Sequence, residues 1–347
     1  MKKAIALILA LVMVFALAAC GGDSSSSGST GGETEKLKIG FSNGFSGNAW
    51  RALMLESLKQ EAAKYDDVEL IVVDGQNDNS KQVSDIESLI SMGCDGIMCI
   101  PNSPEAVEPV LKEARNQGIT VCVFNLALND EEAYDIYLGT DMKQKGYEYS
   151  KAFLEAIGCE GNIVQFGGIA GNSATAMCLE GFEEACADLG ADVNVLAYND
   201  CDWSEDKAKM IMADLLNAYD DIDGVWCDGG GSAAGAAKAM LEAGRELVPM
   251  CGDDYNGLFK LYLEQKDDHP NFDIFTISEP TWQSREAFKL LYASLTGETV
   301  EKTNLFLPDM ITGAEAENFV QWDLPYALYV DNDVEFDALK AIMDANS

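Results

Sequence analysis

Short apolar segments alternate with amphipathic segments along nearly the whole chain. The apolar segments are bounded by glycine, asparagine or aspartate and have the composition of buried strands; they lie at 37–42, 68–74, 96–100, 119–125, 162–166, 193–198, 224–228 and 248–252. The amphipathic segments each have about the length of one crossover helix and lie at 49–65, 81–92, 105–117, 142–157, 174–189, 205–219, 233–243 and 282–295. This alternation predicts an α/β fold with mainly parallel sheets.

An internal repeat indicates that the chain has two similar halves. The sequence Asp-Gly-Ile-Met-Cys at 95–99 and the sequence Asp-Gly-Val-Trp-Cys at 223–227 each begin a predicted strand–helix–strand unit. A chain of 347 residues, 48% of them hydrophobic, is also longer than one core usually organises. We therefore predict two similar lobes, each a mainly parallel sheet flanked by helices.

The N-terminus has the order of a secretion signal. Lys2 and Lys3 precede an apolar run at 4–16 that is too short to span a membrane. The following Leu-Ala-Ala-Cys resembles a bacterial lipobox, which implies cleavage after residue 19 and lipidation of Cys20. We predict a signal peptide at 1–19, a lipidated cysteine with a flexible Gly/Ser/Thr-rich linker at 20–35, and anchorage on the extracellular face of the cytoplasmic membrane, as in Gram-positive lipoproteins.

Charge and cysteine usage exclude several classes of partner. The formal net charge of −36 repels nucleic acid and anionic lipid head groups, so the folded body has no nucleic-acid partner and touches the membrane through its lipid only. Several of the ten cysteines lie within apolar runs, as Cys99 and Cys227 do, and no C-x-x-C pair occurs. We expect buried free thiols and, with His269 as the single histidine, no metal site.

Two patterns imitate those of enzymes. Residues 40–44 match G-x-S-x-G, but a hydrolase triad needs a histidine, and His269 lies in a predicted acidic surface loop. Residues 229–234 loosely match a dinucleotide fingerprint, but they lie late in an exported chain. We predict no catalytic residue, no cofactor and no enzymatic activity.

Polar and aromatic residues follow the predicted strands of both halves. Ligands of open α/β sheets bind beyond the carboxyl ends of the strands, so these residues are expected to converge on one cleft between the lobes. The candidate ligand-binding residues are Asn48, Trp50, Arg51, Asn125, Asn172, Trp203, Asp228, Asp254 and Glu279.

An ordered set of motifs resembles the type I periplasmic-binding-protein family, in its ribose- and galactofuranose-binding branch of ABC-transporter solute-binding proteins. The motifs are Lys38-Ile39-Gly40-Phe41-Ser42, Gly47-Asn48-Ala49-Trp50-Arg51, Asp74-Gly75-Gln76-Asn77, Asp95-Gly96-Ile97 with Pro101, Gly168-Ile169-Ala170-Gly171-Asn172-Ser173, Gly181-Phe182, Gly252-Asp253-Asp254 and Glu279-Pro280. They extend over residues 38–280, and the resemblance covers about residues 36–300.

The resemblance implies how the chain is organised and what it does. Three crossings between lobes are expected near 139–141, 279–280 and 307–311. They would delimit an N-terminal lobe of 36–139 plus 281–308 and a C-terminal lobe of 140–280 plus 309–347. The family captures a sugar or polyol by hinge closure and delivers it to an ABC permease and its ATPase; we expect a monomer. The tail from 314 is expected to pack along the second lobe.

Carried over by position, the family's site is altered in this chain. Its strand-exit Asp-Arg pair falls on Asn125-Leu126 and its second-lobe arginine near Ala176, so both arginines are missing. Its stacking phenylalanine falls on Trp203, an asparagine near Asp228 or Gly229, the hydroxyl-binding aspartate on Asp254 and the hinge glutamine on Glu279. These changes leave the ligand open between a sugar or polyol and an amino sugar, amine or furanosyl signal, and they leave open a sensor role for a receptor kinase.

The residue types of the candidates suit a polyhydroxylated ligand. Trp50 and Trp203 offer flat faces for a sugar ring, and Arg51 offers a fork of donors. Asp254 and Glu279 offer charged acceptors for hydroxyl groups. Each type also has an ordinary structural role, as a core tryptophan, a salt-bridged arginine, a turn asparagine or a surface carboxylate.

Overall fold

The computed structural model describes residues 36–46, 49–332 and 334, and these form alternating strands and helices. The predicted signal peptide, Cys20, the predicted linker and Asn48 lie outside the described residues. In chain order the elements are β1 Leu37–Asn43, α1 Ala49–Ala62, β2 Val68–Asp74, α2 Asn79–Ser91, β3 Gly96–Ile100, α3 Pro104–Asn116, β4 Thr120–Phe124, β5 Ile136–Thr140, α4 Met142–Ala156, β6 Glu160–Gly167, α5 Ser173–Leu189, β7 Asp192–Asp200, α6 Glu205–Ala218, β8 Gly224–Cys227, α7 Gly230–Glu242, β9 Met250–Gly252, α8 Asn256–Gln265, β10 Ile274–Ile277, α9 Gln283–Leu295, β11 Thr303–Phe306, β12 Met310–Thr312 and α10 Ala316–Phe319.

The strands form two six-stranded sheets with equivalent topology. The first sheet has the order β11-β5-β4-β3-β1-β2, and its paired strands are parallel. The second has the order β12-β10-β9-β8-β6-β7 and is parallel except at its edge strand β12. The chain passes between the sheets at 141, 278–282 and 307–309. The predicted two-lobe α/β fold with three crossovers is confirmed.

The repeated Asp-Gly sequences begin equivalent central strands. The Asp95 amide donates to the carbonyl oxygen of Lys38 at 2.8 Å, while its carboxylate accepts from the Lys38 amide at 2.8 Å. The Asp223 amide and carboxylate make the same pair of bonds to the backbone of Asn162, both at 2.7 Å. Each aspartate therefore aligns the start of one central strand with its neighbour, which explains why the sequence recurs.

Both faces of each sheet are covered, as parallel sheets require. In the first sheet, alternate side chains point to opposite sides: Phe41 and Phe124 pack with Phe288 of α9, whereas Ile97 and Val121 pack against α2 and α3. The nine cysteines of the described residues are free thiols, most of them buried in these cores. Burial raises the pKa of the Cys99 thiol to about 12, so it stays protonated.

The described part of the tail lies against α8 and the loop before it. The buried Asn256 side chain donates to the carbonyl oxygens of Gln321 and Pro325, and Lys260 donates to that of Trp322. The described part of the tail thus packs along the second lobe, as expected, and residues 333 and 335–347 lie outside the described residues. Among the described residues, no helix combines the length and apolarity needed to cross a membrane.

Candidate functional site

The crossover at 278–282 brings residues of both sheets together at Glu279. The Glu279 carbonyl oxygen accepts from Trp50 Nε1 at 2.7 Å, and its Oε1 accepts from Asn125 Nδ2 at 2.8 Å and from Gln283 Nε2 at 3.0 Å. Its Oε2 lies 3.7 Å from Nζ of Lys145 on α4. Glu279 therefore joins the first lobe, the crossover and the second lobe.

Lys145 is a buried cation that the sequence interpretation missed. It is 1% exposed. Burial alone would lower the pKa of its ammonium, but the nearby carboxylates of Glu279, Asp253 and Asp254 outweigh that effect, and the pKa is raised. Lys145 consequently remains charged and supplies a buried positive centre beside Glu279.

A sequence signal for Lys145 did exist. Lys145 precedes the buried Tyr149 and Phe153 by four and eight residues, so it lies on the apolar stripe of α4. The next residue, Gly146, packs so tightly against α5 that a Cβ there would lie 2.4 Å from the Cys178 carbonyl oxygen. A lysine on such a stripe is directed into the protein, unlike the exposed Lys143, which pairs with Glu184.

Three aspartates follow the strands of the second sheet and are buried. Asp228 comes directly after β8 and accepts from the Thr175 hydroxyl. Asp253 and Asp254 follow β9, and Asp253 accepts from the Gly230 amide. Burial raises the pKa of Asp228 to about 6, and burial together with the neighbouring charge of Asp253 raises the pKa of Asp254 to about 7. The cluster therefore carries less negative charge near neutral pH than its composition suggests.

Two of these aspartates and Glu279 each have one buried carboxylate oxygen that accepts no hydrogen bond, although Lys145 Nζ lies 3.7 Å from that of Glu279. Asp228 Oδ1, Asp254 Oδ1 and Glu279 Oε2 accept no hydrogen bond from any described residue. A buried acceptor left in this state costs about 1–3 kcal/mol. Such a set of oxygens at the strand ends suits a ligand rich in O–H or N–H donors.

Trp203 presents an indole at the exits of β6 and β8. Asp202 and Trp203 both have positive φ angles, of 55° and 53°, a strained conformation for these side chains. The indole lies so close to Gly168 and Gly229 that a Cβ at either position would lie within 2.7 Å of it. The glycines thus create the space for the half-exposed ring, beside Asp228.

The remaining candidates have structural contacts of their own. Trp50 is 8% exposed and packs in the first core. Arg51 donates to Asn43 Oδ1 at 3.2 Å and lies 5.4 Å from the centre of the Trp50 ring. Burial lowers the pKa of Arg51 to about 10, and its side chain remains partly accessible. Asn172 caps α5, where its Oδ1 accepts from the Ala174 amide at 2.8 Å.

Comparison with known proteins gives the family. The family model described as periplasmic binding protein domain matches residues 39–299. The chain belongs to this family. It is 27% identical over 251 residues to the ribose import binding protein of Bacillus subtilis, covering 72% of this chain and 80% of that protein. It is 26% identical over 285 residues to a galactofuranose-binding protein of Escherichia coli, covering 79% and 88%.

Solved structures show the same fold. An ABC transporter solute-binding protein from Bacillus halodurans with bound myo-inositol superposes with a TM-score of 0.73 at 23% identity, covering 84% of this chain and 99% of that one. The relatives are binding proteins, and the resemblance stated from the sequence motifs is confirmed.

Proposed function

We propose that this chain is the solute-binding component of an ABC importer and captures a neutral sugar or polyol. The observation that carries the proposal is a set of three buried carboxylate oxygens, on Asp228, Asp254 and Glu279, that accept no hydrogen bond from the described residues and that interact electrostatically with the Lys145 ammonium. Relatives named for ribose import and galactofuranose binding support the ligand class. The function is binding without chemistry, so no cofactor is required.

The charges of the site favour a ligand with many hydroxyl groups. A hydroxyl donates to a carboxylate and accepts from a cation or an amide, so it matches Asp254, Lys145 and Asn125 at once. With both family arginines missing, the sequence predicts a site with net negative charge. The positive charge of Lys145 offsets part of that negative charge. An amino sugar or amine is the second candidate, because the carboxylates still outnumber the cation.

The mechanism we propose is closure of two lobes about the three crossings. The lobes would be 36–139 plus 281–308 and 140–280 plus 309–347. Glu279 lies within a crossing and contacts both sides, so a ligand bound to it gains its full set of contacts only when the lobes meet. A ligand that binds the closed state more tightly shifts the population toward it.

Export and anchorage complete the proposal. The signal at 1–19 and the lipidated Cys20 would hold the monomeric binding protein outside the cytoplasmic membrane. From there the closed form would deliver its ligand to a permease that a separate ATPase drives.

A thermal-shift panel on the chain without residues 1–20 tests the ligand class. The probes are D-ribose, D-galactose, xylitol and myo-inositol as neutral compounds, and glucosamine and putrescine as cations. A ligand at a hundredfold excess over its Kd stabilises the fold by about 2.7 kcal/mol, which raises the Tm measurably.

The shift should disappear in Asp254→Asn and persist in Asp268→Asn, whose side chain is exposed. A shift with cations alone would replace the neutral ligand by an amine. No shift with any probe would contradict the ligand class.

A further inference from the structure

The tail returns to the candidate site through a short segment, Tyr326–Asp331, which we name the tail strap. It runs beside the loop between β9 and α8. The Leu328 carbonyl oxygen accepts from the Asn256 amide at 2.8 Å, the Val330 amide donates to the Asp254 carbonyl oxygen at 3.1 Å, and Tyr329 forms a β-bridge with Tyr255. The strap is thus fixed to the second lobe by its backbone.

The strap holds one oxygen of Asp254 and leaves the other without a donor. The Asp331 amide donates to Asp254 Oδ2 at 2.6 Å. Asp254 Oδ1 is buried and receives no hydrogen bond from any described residue. The hydrogen bond from the strap to Oδ2 fixes the orientation of the carboxylate. Its other oxygen, Oδ1, is then available to a donor group on a bound ligand.

Asp331 also connects both ends of the crossover at 278–282. Its Oδ2 accepts from the Ser278 hydroxyl at 2.6 Å, and its Oδ1 accepts from Trp282 Nε1 at 3.2 Å. Ser278 follows the second-sheet strand β10, whereas Trp282 precedes the first-lobe helix α9. The strap therefore links Asp254 to the segment that joins the lobes.

Tyr329 extends from the strap to the first lobe. Its ring lies edge-on to Tyr255, with centroids 6.2 Å apart, and packs against the first-lobe cluster that contains Trp50. Burial, with the neighbouring carboxylates of Asp253, Asp254 and Glu279, raises the pKa of its phenol well above the usual range. The side chain remains partly accessible.

We propose that the tail strap completes the ligand cleft, with Tyr329 as a wall that contacts the bound sugar or polyol and Asp331 as a positioning residue for Asp254. A tyrosine offers an apolar face and a polar hydroxyl, a combination that suits a sugar. The proposal rests on the proposed function for its ligand.

The test compares strap variants with matched variants of the same tail. Calorimetric titration with D-ribose, D-galactose, xylitol and myo-inositol first finds a probe that the wild-type chain binds. Tyr329→Ala should then raise the Kd by about tenfold or more. Trp322→Ala is the control, since Trp322 is 52% exposed and lies in the tail outside the strap. Equal affinity in the wild type and Tyr329→Ala would overturn the proposal and leave the proposed function standing.

Asp331 is tested by loss and rescue. Asp331→Ala should weaken binding of the same probe, and Asp331→Asn, which keeps a side-chain acceptor, should restore most of the affinity. Asp323→Ala, on the exposed part of the tail, should change nothing. No rescue by the asparagine would overturn the positioning role.

Amide exchange provides a readout that needs no ligand. In Asp331→Ala, amides of the crossover 278–282 should exchange faster than in the wild type when followed by mass spectrometry. If no probe binds the wild type, the proposed function fails and the Tyr329 contact with it. Unchanged exchange in Asp331→Ala would separately overturn the link between strap and crossover.

Discussion

At the scale of single residues, Lys145 is the charge on which the candidate site depends. The carboxylates of Glu279, Asp253 and Asp254 raise the pKa of Lys145, and Lys145→Met removes the positive charge that they face. We expect a loss of about 2–4 kcal/mol in the free energy of unfolding at pH 7.5, because removing one partner leaves buried charge uncompensated. The loss should be smaller at pH 5, because Asp254, whose pKa is raised to about 7 by burial and by the charge of Asp253, is protonated there. Urea unfolding at both pH values measures it.

The matched control for that variant is on the same helix. Lys143 is exposed and pairs with Glu184 on the surface, so Lys143→Met should change the unfolding free energy by no more than about 0.5 kcal/mol. If Lys145→Met and Lys143→Met changed the free energy of unfolding equally, the charge of the buried Lys145 would not stabilise the fold.

Asp254 makes stability depend on pH in a defined direction. Its pKa is about 7 in the folded chain against an ordinary value of 3.8, so between these values the folded state holds a proton that the unfolded state has lost. Its contribution to stability is therefore present below pH 4 and is lost as the pH rises to 7, by up to about 1.4 kcal/mol per unit. Asp254→Asn should gain stability relative to the wild type across this range.

Urea unfolding from pH 4.5 to 8 measures the difference in the free energy of unfolding between the wild type and Asp254→Asn. The difference should grow up to about pH 7 and then level off. Asp268→Asn, at an exposed position, should give a difference that does not vary with pH. A constant difference for Asp254→Asn would contradict the raised pKa.

The sequence alone could indicate which polar residues follow the strands. It could not indicate which side chains from other elements contact them. The motif positions located Asn125, Asp254 and Glu279, and the structure joins Asn125 to Glu279 directly. Lys145 and Tyr329 were not among the predicted candidates because each lies on an element that the strand-exit rule does not include, Lys145 on the buried side of α4 and Tyr329 in the tail. The strand-exit rule identifies only side chains in the loops that follow the strands.

At the scale of elements, most strands and helices of the alternating pattern were predictable, including the short strands β8 and β9, and a few elements were not. The predicted strand at 68–74 coincides with β2, and the predicted helix at 205–219 agrees with α6 to one residue. The strand β10, of four residues, and the helix α8 were not identified. Gly257 in the first turn of α8 resembles a turn signal, and β10 obtains its strand geometry from pairing with β9 and β12.

Helices α4 and α5 approach each other so closely that glycines are required at their contact. A Cβ at Gly146 would lie 2.4 Å from the Cys178 carbonyl oxygen, and one at Gly181 would lie 2.3 Å from that of Lys143. Gly146→Ala should therefore lower the unfolding free energy by about 1–3 kcal/mol through overpacking. At an unhindered helix position the same change stabilises by about 1 kcal/mol, so a gain in urea unfolding would contradict the close packing.

At the scale of the whole molecule, the repeated Asp-Gly sequence reflects two lobes built on one plan. The sequence alone indicated this duplication, because the aspartate makes the same backbone contacts in each lobe, to Lys38 in one and to Asn162 in the other. The relation between lobes was not predictable from composition. It depends on the three crossings and on tail contacts such as that of Asp331 with Ser278.

Removing each aspartate in turn compares the two lobes directly. Asp223 is half-buried and Asp95 is exposed, so Asp223→Ala should cost more than Asp95→Ala, about 1.5–3 against about 0.5–1.5 kcal/mol. Amide exchange should quicken in β6 and β8 for the first variant and in β1 and β3 for the second, because each aspartate aligns only its own pair of strands. If either variant instead quickened exchange equally in both sheets, the lobes would open as a single unit. In that case neither aspartate would act only on its own pair of strands.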